Sequence, residues 1–372
     1  MNAELEEKIA RLVDMLGQQN LDGVLLNAQH NFAWLTAGGS NGIDLSRENG
    51  AASLLIDSNG RRFIIANNIE MPRLMSQELD AKDFEPVEIA WQQEKATGDL
   101  ALQKARDLIG RNAVIASDIA LFADAMPIEN RIARCRYRLT ADEMIRYREL
   151  GRDSGSAIRR AIDKAQPGQT EYEIAETLRQ EMALSGMRSV VTLVAADERL
   201  EQFRHPVPTG ERWTKTLLLV SCAKRGGMIT SQSRMVCVGE IPDSLKMKTE
   251  AAAYVNARLF DATLPGITGS ELYTIAANAY SEKDFADEIN KHHQGGAAGY
   301  KTRDWVAHPR STDVVEPNQP FAWNPSITGT KVEETCVTTT DGIEVVTESP
   351  DFPRITTMVD GKEYSSPGIL SL

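Results

Sequence analysis

The spacing of apolar residues changes along the chain and predicts two kinds of secondary structure near its start. Residues 1–19 place isoleucine, leucine and valine side chains at helical intervals between charged residues, which predicts an amphipathic helix. Over residues 23–68, β-branched or leucine-rich runs are separated by asparagine and glycine, a pattern typical of strands joined by turns. Similar runs return at residues 83–91 and 112–120, with a helical segment between them. We therefore predict a small α/β domain over residues 1–135.

A second region begins with a helix start signal and contains a weak internal repeat. Thr140 and Glu143 have the spacing of a capping box and predict a long helix. Residues 166–171 and 264–269 each place Pro-Gly after a long helix and a threonine before the next helix. Two similar α/β halves would form a pseudo-twofold domain with a central cleft, over residues 136–372. Helix, Pro-Gly, helix is also common without a repeat, and that alternative stays open.

Composition and charge exclude several classes of protein. The chain has 372 residues, 42% of them hydrophobic and 25% charged, which favours two globular domains over a disordered or fibrous protein. With 41 Lys and Arg against 53 Asp and Glu, the formal net charge is −12. No basic stripe is present to bind nucleic acid or an anionic membrane, and no segment approaches the ~18 apolar residues of a membrane span. We expect a few placed arginines to bind any anionic substrate.

The cysteines indicate a reducing compartment. Cys135, Cys222, Cys237 and Cys336 are scattered without a Cys-x-x-Cys pair, so we expect free thiols and neither a zinc ribbon nor a disulfide framework. The N-terminus also has no apolar run of signal-peptide length, and a cytoplasmic location is expected. Cys222 could pair with a histidine as a nucleophile, although a buried unreactive thiol is the commoner case.

Motifs along nearly the whole chain resemble one known family. They are NFAWLTAG (31–38), PGQTEYEIA (167–175), RHPVPTGERW (204–213), HHQGGAAGYKTRDW (292–305) and KVEETCVTTTDG (331–342). In order and spacing they are similar to the "pita-bread" family of aminopeptidase P, prolidase, methionine aminopeptidase and creatinase. The resemblance implies an α/β (α+β) fold, in which a small N-terminal creatinase-type α/β domain precedes a pseudo-twofold pita-bread domain.

The resemblance also implies where metal ligands should stand. The metallopeptidases of the family hold two metal ions with two aspartates, a histidine and two glutamates. At the matching positions this chain has Val220, Ser231, Gly296, Asn324 and Glu333. One carboxylate cannot hold two divalent cations, so we predict no dinuclear metal site and no cofactor.

Creatinase works without a metal, and its catalytic residues have candidates here. His205 matches the creatinase histidine that moves the proton, and His292 matches a histidine that lines the pocket. The unperturbed pKa of histidine, ~6.5, suits it to both accept and donate a proton near neutral pH. With Glu333 orienting a water molecule beside His292, these are the predicted catalytic residues. A surface position for His205 in its loop is the simpler alternative.

Two arginines are the candidates for binding a substrate carboxylate. Arg303 matches an arginine that binds the carboxylate in creatinase, and Arg47 resembles one supplied in trans by the partner subunit of a homodimer. Arginines can bind a carboxylate through bidentate, charge-assisted hydrogen bonds. An ion pair between Arg303 and a nearby acid such as Asp304 is the alternative.

Neutral polar residues replace the two glutamates with which creatinase binds a guanidinium. Ser233 and Asn324 occupy those positions, so a buried cationic group would lack a counter-charge. We therefore expect a small carboxylate-bearing substrate with a neutral amide, lactam, imine or ureido group. Asn324, Gln294, Ser231 and Ser233 would contact that group, and Tyr300 would offer a hydroxyl.

Three functions are consistent with the sequence. The favoured one is a metal-independent hydrolase of a non-peptide C–N bond, acting on a small carboxylate-bearing molecule. The second is a binding protein that has lost its chemistry. The third is an Xaa-Pro metallopeptidase.

Overall fold

The computed structural model describes residues 3–372, so residues 1 and 2 of the predicted first helix lie outside it. The chain forms two compact units. The N-terminal unit runs to Glu143 and includes Gly226–Met228, and the C-terminal unit comprises Met144–Arg225 and Ile229–Leu372.

The predicted division after residue 135 falls inside the N-terminal unit. Glu143 is fully buried and its carboxylate lies 2.7 Å from the Lys8 ammonium of the first helix. This ion pair joins the beginning of the long helix to the N-terminal unit. The predicted capping box at that point is present, because Glu143 accepts from the Thr140 N–H at 2.8 Å and its own N–H donates to the Thr140 hydroxyl.

The N-terminal unit is a mixed six-stranded sheet with helices, as the apolar pattern predicts. Its helices are α1 (Ala3–Gln19), α2 (Gln29–Leu35), α3 (Met71–Arg73), α4 (Trp91–Ala96), α5 (Leu100–Ile109) and α6 (Glu129–Tyr137). Its strands are β1 (Gly23–Ala28), β2 (Asn49–Asp57), β3 (Arg62–Asn67), β4 (Glu85–Ile89), β5 (Ile115–Ser117) and β6 (Met126–Pro127). The strand order is β4-β3-β2-β1-β5-β6. Leu25, Leu55 and Ile65 from neighbouring strands share one apolar cluster with Leu102 of α5.

The C-terminal unit combines long helices with two larger sheets. The helices from the unit boundary onward are α7 (Ala141–Lys164), α8 (Glu171–Leu184), α9 (Arg199–Gln202), α10 (Asp243–Ala262) and α11 (Gly269–Ser281). The strands are β7 (Arg188–Ala196), β8 (Thr216–Arg225), β9 (Met228–Cys237), β10 (Gly295–Ala297), β11 (Trp305–Val306), β12 (Pro320–Trp323), β13 (Ser326–Ile327), β14 (Thr330–Lys331), β15 (Glu334–Thr338), β16 (Ile343–Val345), β17 (Arg354–Val359), β18 (Lys362–Pro367) and β19 (Ile369–Ser371). The two larger sheets have the strand orders β19-β9-β8-β7 and β11-β10-β12-β15-β16.

The internal repeat predicted in this region is real at the level of hydrogen bonds. Thr170 caps α8 and Thr268 caps α11, each in a complete capping box. The preceding Gly168 N–H donates to the carbonyl of Trp213 at 2.7 Å, and the Gly266 N–H donates to that of Val315 at 2.9 Å. Both glycines have positive φ, +93° and +102°, which other residues rarely adopt. The two Pro-Gly turns therefore perform the same task in two related halves.

Two further expectations concern the whole chain. All four cysteines are free thiols in the structure. Among the helices of residues 3–372, none has the length and apolar character that crossing a membrane would require.

Candidate functional site

Three histidines form the centre of the candidate site, in the C-terminal unit. His205 follows helix α9, whereas His292 and His293 lie just before strand β10. The Nε2 atoms of His205 and His292 are 3.0 Å apart, and the His292 and His293 rings stack with centroids 4.4 Å apart. The structure thus brings the two predicted catalytic histidines into contact. We call the three residues the histidine cluster; His293 was not among the predicted site residues.

A buried carboxylate, Glu288, holds together the segments that carry these histidines. It accepts a hydrogen bond from Arg204, the neighbour of His205. The ammonium of Lys291 and the N–H of Thr328 also donate to it, at 2.9 and 3.2 Å. Burial acts to raise the pKa of Glu288, but the bonds from these neighbours prevail and lower it. Glu288 is therefore ionised, and its hydrogen bonds connect the segment that carries His205 with the segment that carries His292 and His293.

The backbone just after the cluster requires glycine. Gly295 has a φ of +110°, and an added Cβ would lie 2.1 Å from the carbonyl oxygen of Ala322 on the adjacent strand β12. This close approach fixes where the chain leaves His293 and enters the sheet. The run of small residues after the histidines is thus explained by strand packing.

The three rings are neutral near pH 7. Burial, followed by the charge on Lys331, lowers the pKa of His292 to about 2. Burial and Arg303 lower the pKa of His293 to about 4, and burial followed by Lys331 also lowers the pKa of His205. The contact between His205 and His292 is therefore an N–H···N hydrogen bond between two neutral imidazoles.

Arg303, Glu333 and Lys331 form an ion-pair cluster within electrostatic reach of the histidines. Arg303 donates to the Glu333 Oε1 at 3.3 Å and to the Ser231 hydroxyl at 3.3 Å. The Lys331 Nζ lies 3.5 Å from the other carboxylate oxygen of Glu333. The side chains of Lys331 and Glu333 are only 5% and 3% exposed. Two cationic groups of the chain itself therefore flank the one carboxylate that the resemblance places at a metal-ligand position.

The other positions matched to metal ligands carry groups of different kinds. Val220 lies in an apolar core cluster, and the hydroxyl of Ser231 contacts Arg303. At Gly296, an added Cβ would lie 2.1 Å from a backbone carbonyl oxygen of the neighbouring strand, so no side chain fits there. Asn324 is buried and carries a neutral amide.

Gln294 is a positioning residue rather than a free substrate contact. Its Oε1 accepts from the Tyr280 hydroxyl at 2.6 Å, and its Nε2 donates to the backbone carbonyl of His292. Both ends of the amide are thus occupied within the protein. The sequence did not reveal this because the partner hydroxyl lies on helix α11.

The remaining predicted polar residues of this unit are also buried. The Ser233 hydroxyl donates to the Lys331 carbonyl at 3.4 Å, and Tyr300 is 1% exposed. The Cys222 thiol lies 3.2 Å from the Ser231 hydroxyl. Burial, and then the charge on Glu333, raises the pKa of Cys222. Its uncharged thiol is a poor nucleophile, in line with the structural alternative.

Four buried polar atoms at the site have no hydrogen-bond partner within residues 3–372. They are His292 Nδ1, Arg303 Nε, Asn324 Oδ1 and Glu333 Oε2, the last of which still lies 3.5 Å from the Lys331 ammonium. Buried polar groups normally have partners. An imidazole nitrogen, a guanidinium N–H and an amide oxygen are therefore available to a bound molecule.

Arg47 belongs to the N-terminal unit, where it is exposed. Its Nε lies 3.0 Å from the Asp44 carboxylate. Together with Asn27 and Gly50 it lines a cavity of about 300 Å³. The predicted role of Arg47 at a partner's site stays a prediction.

Comparison with known proteins gives the chain its family. Residues 146–346 match metallopeptidase family M24. The uncharacterized peptidase YqhT of Bacillus subtilis is 22% identical over 361 residues, which cover 92% of this chain and 98% of that protein. An Xaa-Pro dipeptidase of Lactobacillus delbrueckii subsp. lactis is 22% identical over 228 residues, 59% of this chain and 62% of that protein.

Solved structures agree with the fold. The Xaa-Pro dipeptidase from Bacillus anthracis superimposes with a TM-score of 0.74 at 20% identity, covering 99% of this chain and 100% of that one. The predicted pita-bread fold is thereby confirmed. Since the family match spans more than half of the sequence, this chain belongs to metallopeptidase family M24.

Proposed function

We propose that this chain is a hydrolase that cleaves a C–N bond in a small carboxylate-bearing molecule, using its histidines and its own cationic side chains. Family membership supports hydrolysis of a C–N bond. The observation that carries the rest is the ion-pair cluster, in which Arg303 and Lys331 flank Glu333 at 3.3 and 3.5 Å. These two positive charges stand beside the carboxylate that a metal centre would need.

The residues present do not fit the dinuclear metal centre of the family. Two adjacent divalent cations need several anionic oxygens to neutralise them and to hold a hydroxide between them. Of the five matched positions only Glu333 is a carboxylate, and Gly296 has no room for the histidine. Two cationic side chains already neutralise Glu333. We therefore propose a metal-independent reaction, as in creatinase.

The proposed chemistry assigns each group a task. His205, the more exposed ring of its hydrogen-bonded pair with His292, accepts the proton of an attacking water and returns it to the leaving nitrogen. Arg303 offers its unpartnered Nε–H to the substrate carboxylate or to the developing oxyanion. Asn324 accepts a hydrogen bond from an amide or ureido N–H at its unpartnered Oδ1.

Glu333 and Gln294 have more limited roles in this proposal than the sequence predicts. Glu333 bears two ion pairs, so its proposed effect on water is electrostatic. Gln294 orients the backbone of His292 and does not contact substrate. Ser231, Ser233 and Tyr300 are further polar side chains of the proposed substrate site, and Arg47 acts from the partner subunit of a homodimer.

Cleavage of Xaa-Pro dipeptides is the second candidate. The names of the curated relatives favour it, since one is an Xaa-Pro dipeptidase and another an uncharacterized peptidase. Such a dipeptide also carries a carboxylate that Arg303 could bind. The two candidates therefore differ in the requirement for metal and in the bond that is cleaved.

A substrate panel in the presence and absence of chelator separates the candidates. The panel should contain Xaa-Pro dipeptides, N-acyl and N-carbamoyl amino acids, and lactam carboxylates. We expect turnover of a non-peptide member that persists in chelator, disappears in His205→Ala and is unchanged in His308→Ala, an exposed histidine outside the cluster. Chelator-sensitive cleavage of Xaa-Pro dipeptides would establish the second candidate. Ligand binding without turnover, unaffected by His205→Ala, would establish a binding protein.

A further inference from the structure

We propose that His205, His292 and His293 form a binding site for one divalent transition-metal ion, at a place different from the family's dinuclear centre. The three rings come from two separate segments, and each offers one ligand nitrogen within 4.8 Å of the other two. Of the five histidines in the chain, three are gathered here.

The spacing of the nitrogens is close to that of a metal site. Zinc–imidazole bonds of about 2.0–2.1 Å at tetrahedral angles place two ligand nitrogens roughly 3.3 Å apart. The Nε2 atoms of His205 and His292 are already 3.0 Å apart. Both other contacts can shorten by ring rotation, because the His205 and His293 side chains are exposed. An ion between the rings would replace their mutual hydrogen bond with two metal bonds.

The kind of ion follows from the ligands. Neutral imidazoles favour zinc, cobalt, nickel or copper, whereas magnesium, calcium and manganese prefer oxygen ligands. Three protein ligands leave a coordination position for water. The nearby charges of Lys331, Arg303, Arg204 and Lys291 oppose any cation, and Glu333 and Glu288 offset only part of them. We therefore expect a site of moderate affinity that accepts Zn²⁺ and Co²⁺ and rejects Mg²⁺.

Metal binding can be measured without substrate, so this site is tested separately from the proposed function. An ion on His205 would occupy the proposed proton acceptor, and bound Zn²⁺ should therefore inhibit the proposed reaction. The full chain, stripped with chelator and dialysed, would be titrated with Zn²⁺ by calorimetry and with Co²⁺ by visible absorption. We expect one ion per chain and cobalt bands of a four- or five-coordinate nitrogen site. His293→Ala and His292→Ala each remove a metal ligand and should weaken binding by at least about 100-fold, the upper end of the loss when only a hydrogen-bond partner of a ligand is removed.

Two matched variants make the result specific. His308→Ala removes a histidine outside the cluster and should leave the affinity unchanged. Glu333→Gln removes the carboxylate of the family's ligand set and should still bind one Zn²⁺, more weakly than the wild-type chain because Lys331 and Arg303 lose their counter-charge. The His293 ring is exposed, so replacing it with alanine should disturb the fold less than replacing His292. Circular dichroism would check that the variants are folded.

Three results would overturn the inference. The first is the absence of Zn²⁺ and Co²⁺ binding to the wild-type chain. The second is an equal loss in His308→Ala and His293→Ala. The third is binding that Glu333→Gln abolishes and His293→Ala leaves intact, which would place the ion at the family's own positions.

Discussion

Replacing Glu333 with glutamine tests whether the ion-pair cluster holds the site together. The carboxylate lies 3.3 Å from Arg303 and 3.5 Å from Lys331. At an effective dielectric constant of ~20, each attraction is about 5 kcal/mol before the cost of desolvation. Glutamine keeps the shape of the side chain and removes the charge, which leaves two cations near each other without a counter-ion.

The net loss is smaller than the sum of the two attractions, because the buried carboxylate no longer has to be desolvated. Removing one partner of a buried ion pair costs roughly 3–5 kcal/mol. For a unit of this size, that loss corresponds to a fall in Tm of about 10 °C. We expect this fall in Tm when the thermal unfolding of Glu333→Gln is followed by circular dichroism, with chelator present throughout.

A surface ion pair provides the matched control. Glu344 pairs with Arg148 at 2.8 Å, and their side chains are 38% and 47% exposed. Exposed pairs contribute about 0–1 kcal/mol, so Glu344→Gln should lower the Tm by only a few degrees at most. In the chelated protein, equal shifts for the two variants would refute the reasoning. Such a result would mean that Glu333 is held ready for a metal rather than neutralised by its neighbours.

Three further predictions concern other parts of the account. Gly296→Ala should lower the Tm of the C-terminal unit by several degrees, because the added Cβ would lie 2.1 Å from a carbonyl oxygen. A Tm equal to that of the wild type would show that the neighbouring strand can move to accommodate the Cβ. Thr170→Ala and Thr268→Ala should each cost about 1 kcal/mol in urea unfolding, and a large difference between them would argue against equivalent halves. Mixing inactive Arg47→Ala with inactive His205→Ala chains should restore up to about a quarter of the activity if two subunits pair at random and Arg47 acts in trans; no recovery in a confirmed mixed dimer would exclude action of Arg47 in trans.

Local signals in the sequence predicted the helix caps and the Pro-Gly turns correctly. The capping box at Thr140 and the capping threonines Thr170 and Thr268 were predicted from local spacing, because their hydrogen bonds join groups three residues apart. The repeat of Pro-Gly turns was visible for the same reason. The resemblance assigned His205 and His292 to one site, and their direct contact was not predicted, since spacing cannot show that residues 87 positions apart meet.

The contacts that could not be predicted from the sequence depend on packing between distant segments. Lys331 was not singled out, although it precedes Glu333 by two positions, because only the fold places its Nζ beside the carboxylate. Gln294 was assigned to substrate, yet the Tyr280 hydroxyl occupies its oxygen. His293 stood next to a predicted residue, and the adjacent pair of histidines was the signal that could have drawn attention to it.

The most direct test of the central claim is turnover after removal of metal. Metal content and kcat/KM should be measured on the same chelated sample, with the best member of the substrate panel. The account predicts that activity persists with far less than one divalent ion per chain and falls at least 100-fold in His205→Ala, within the range that general acid–base catalysis contributes. Activity that disappears with the metal and returns on adding Mn²⁺, Co²⁺ or Zn²⁺ would contradict it.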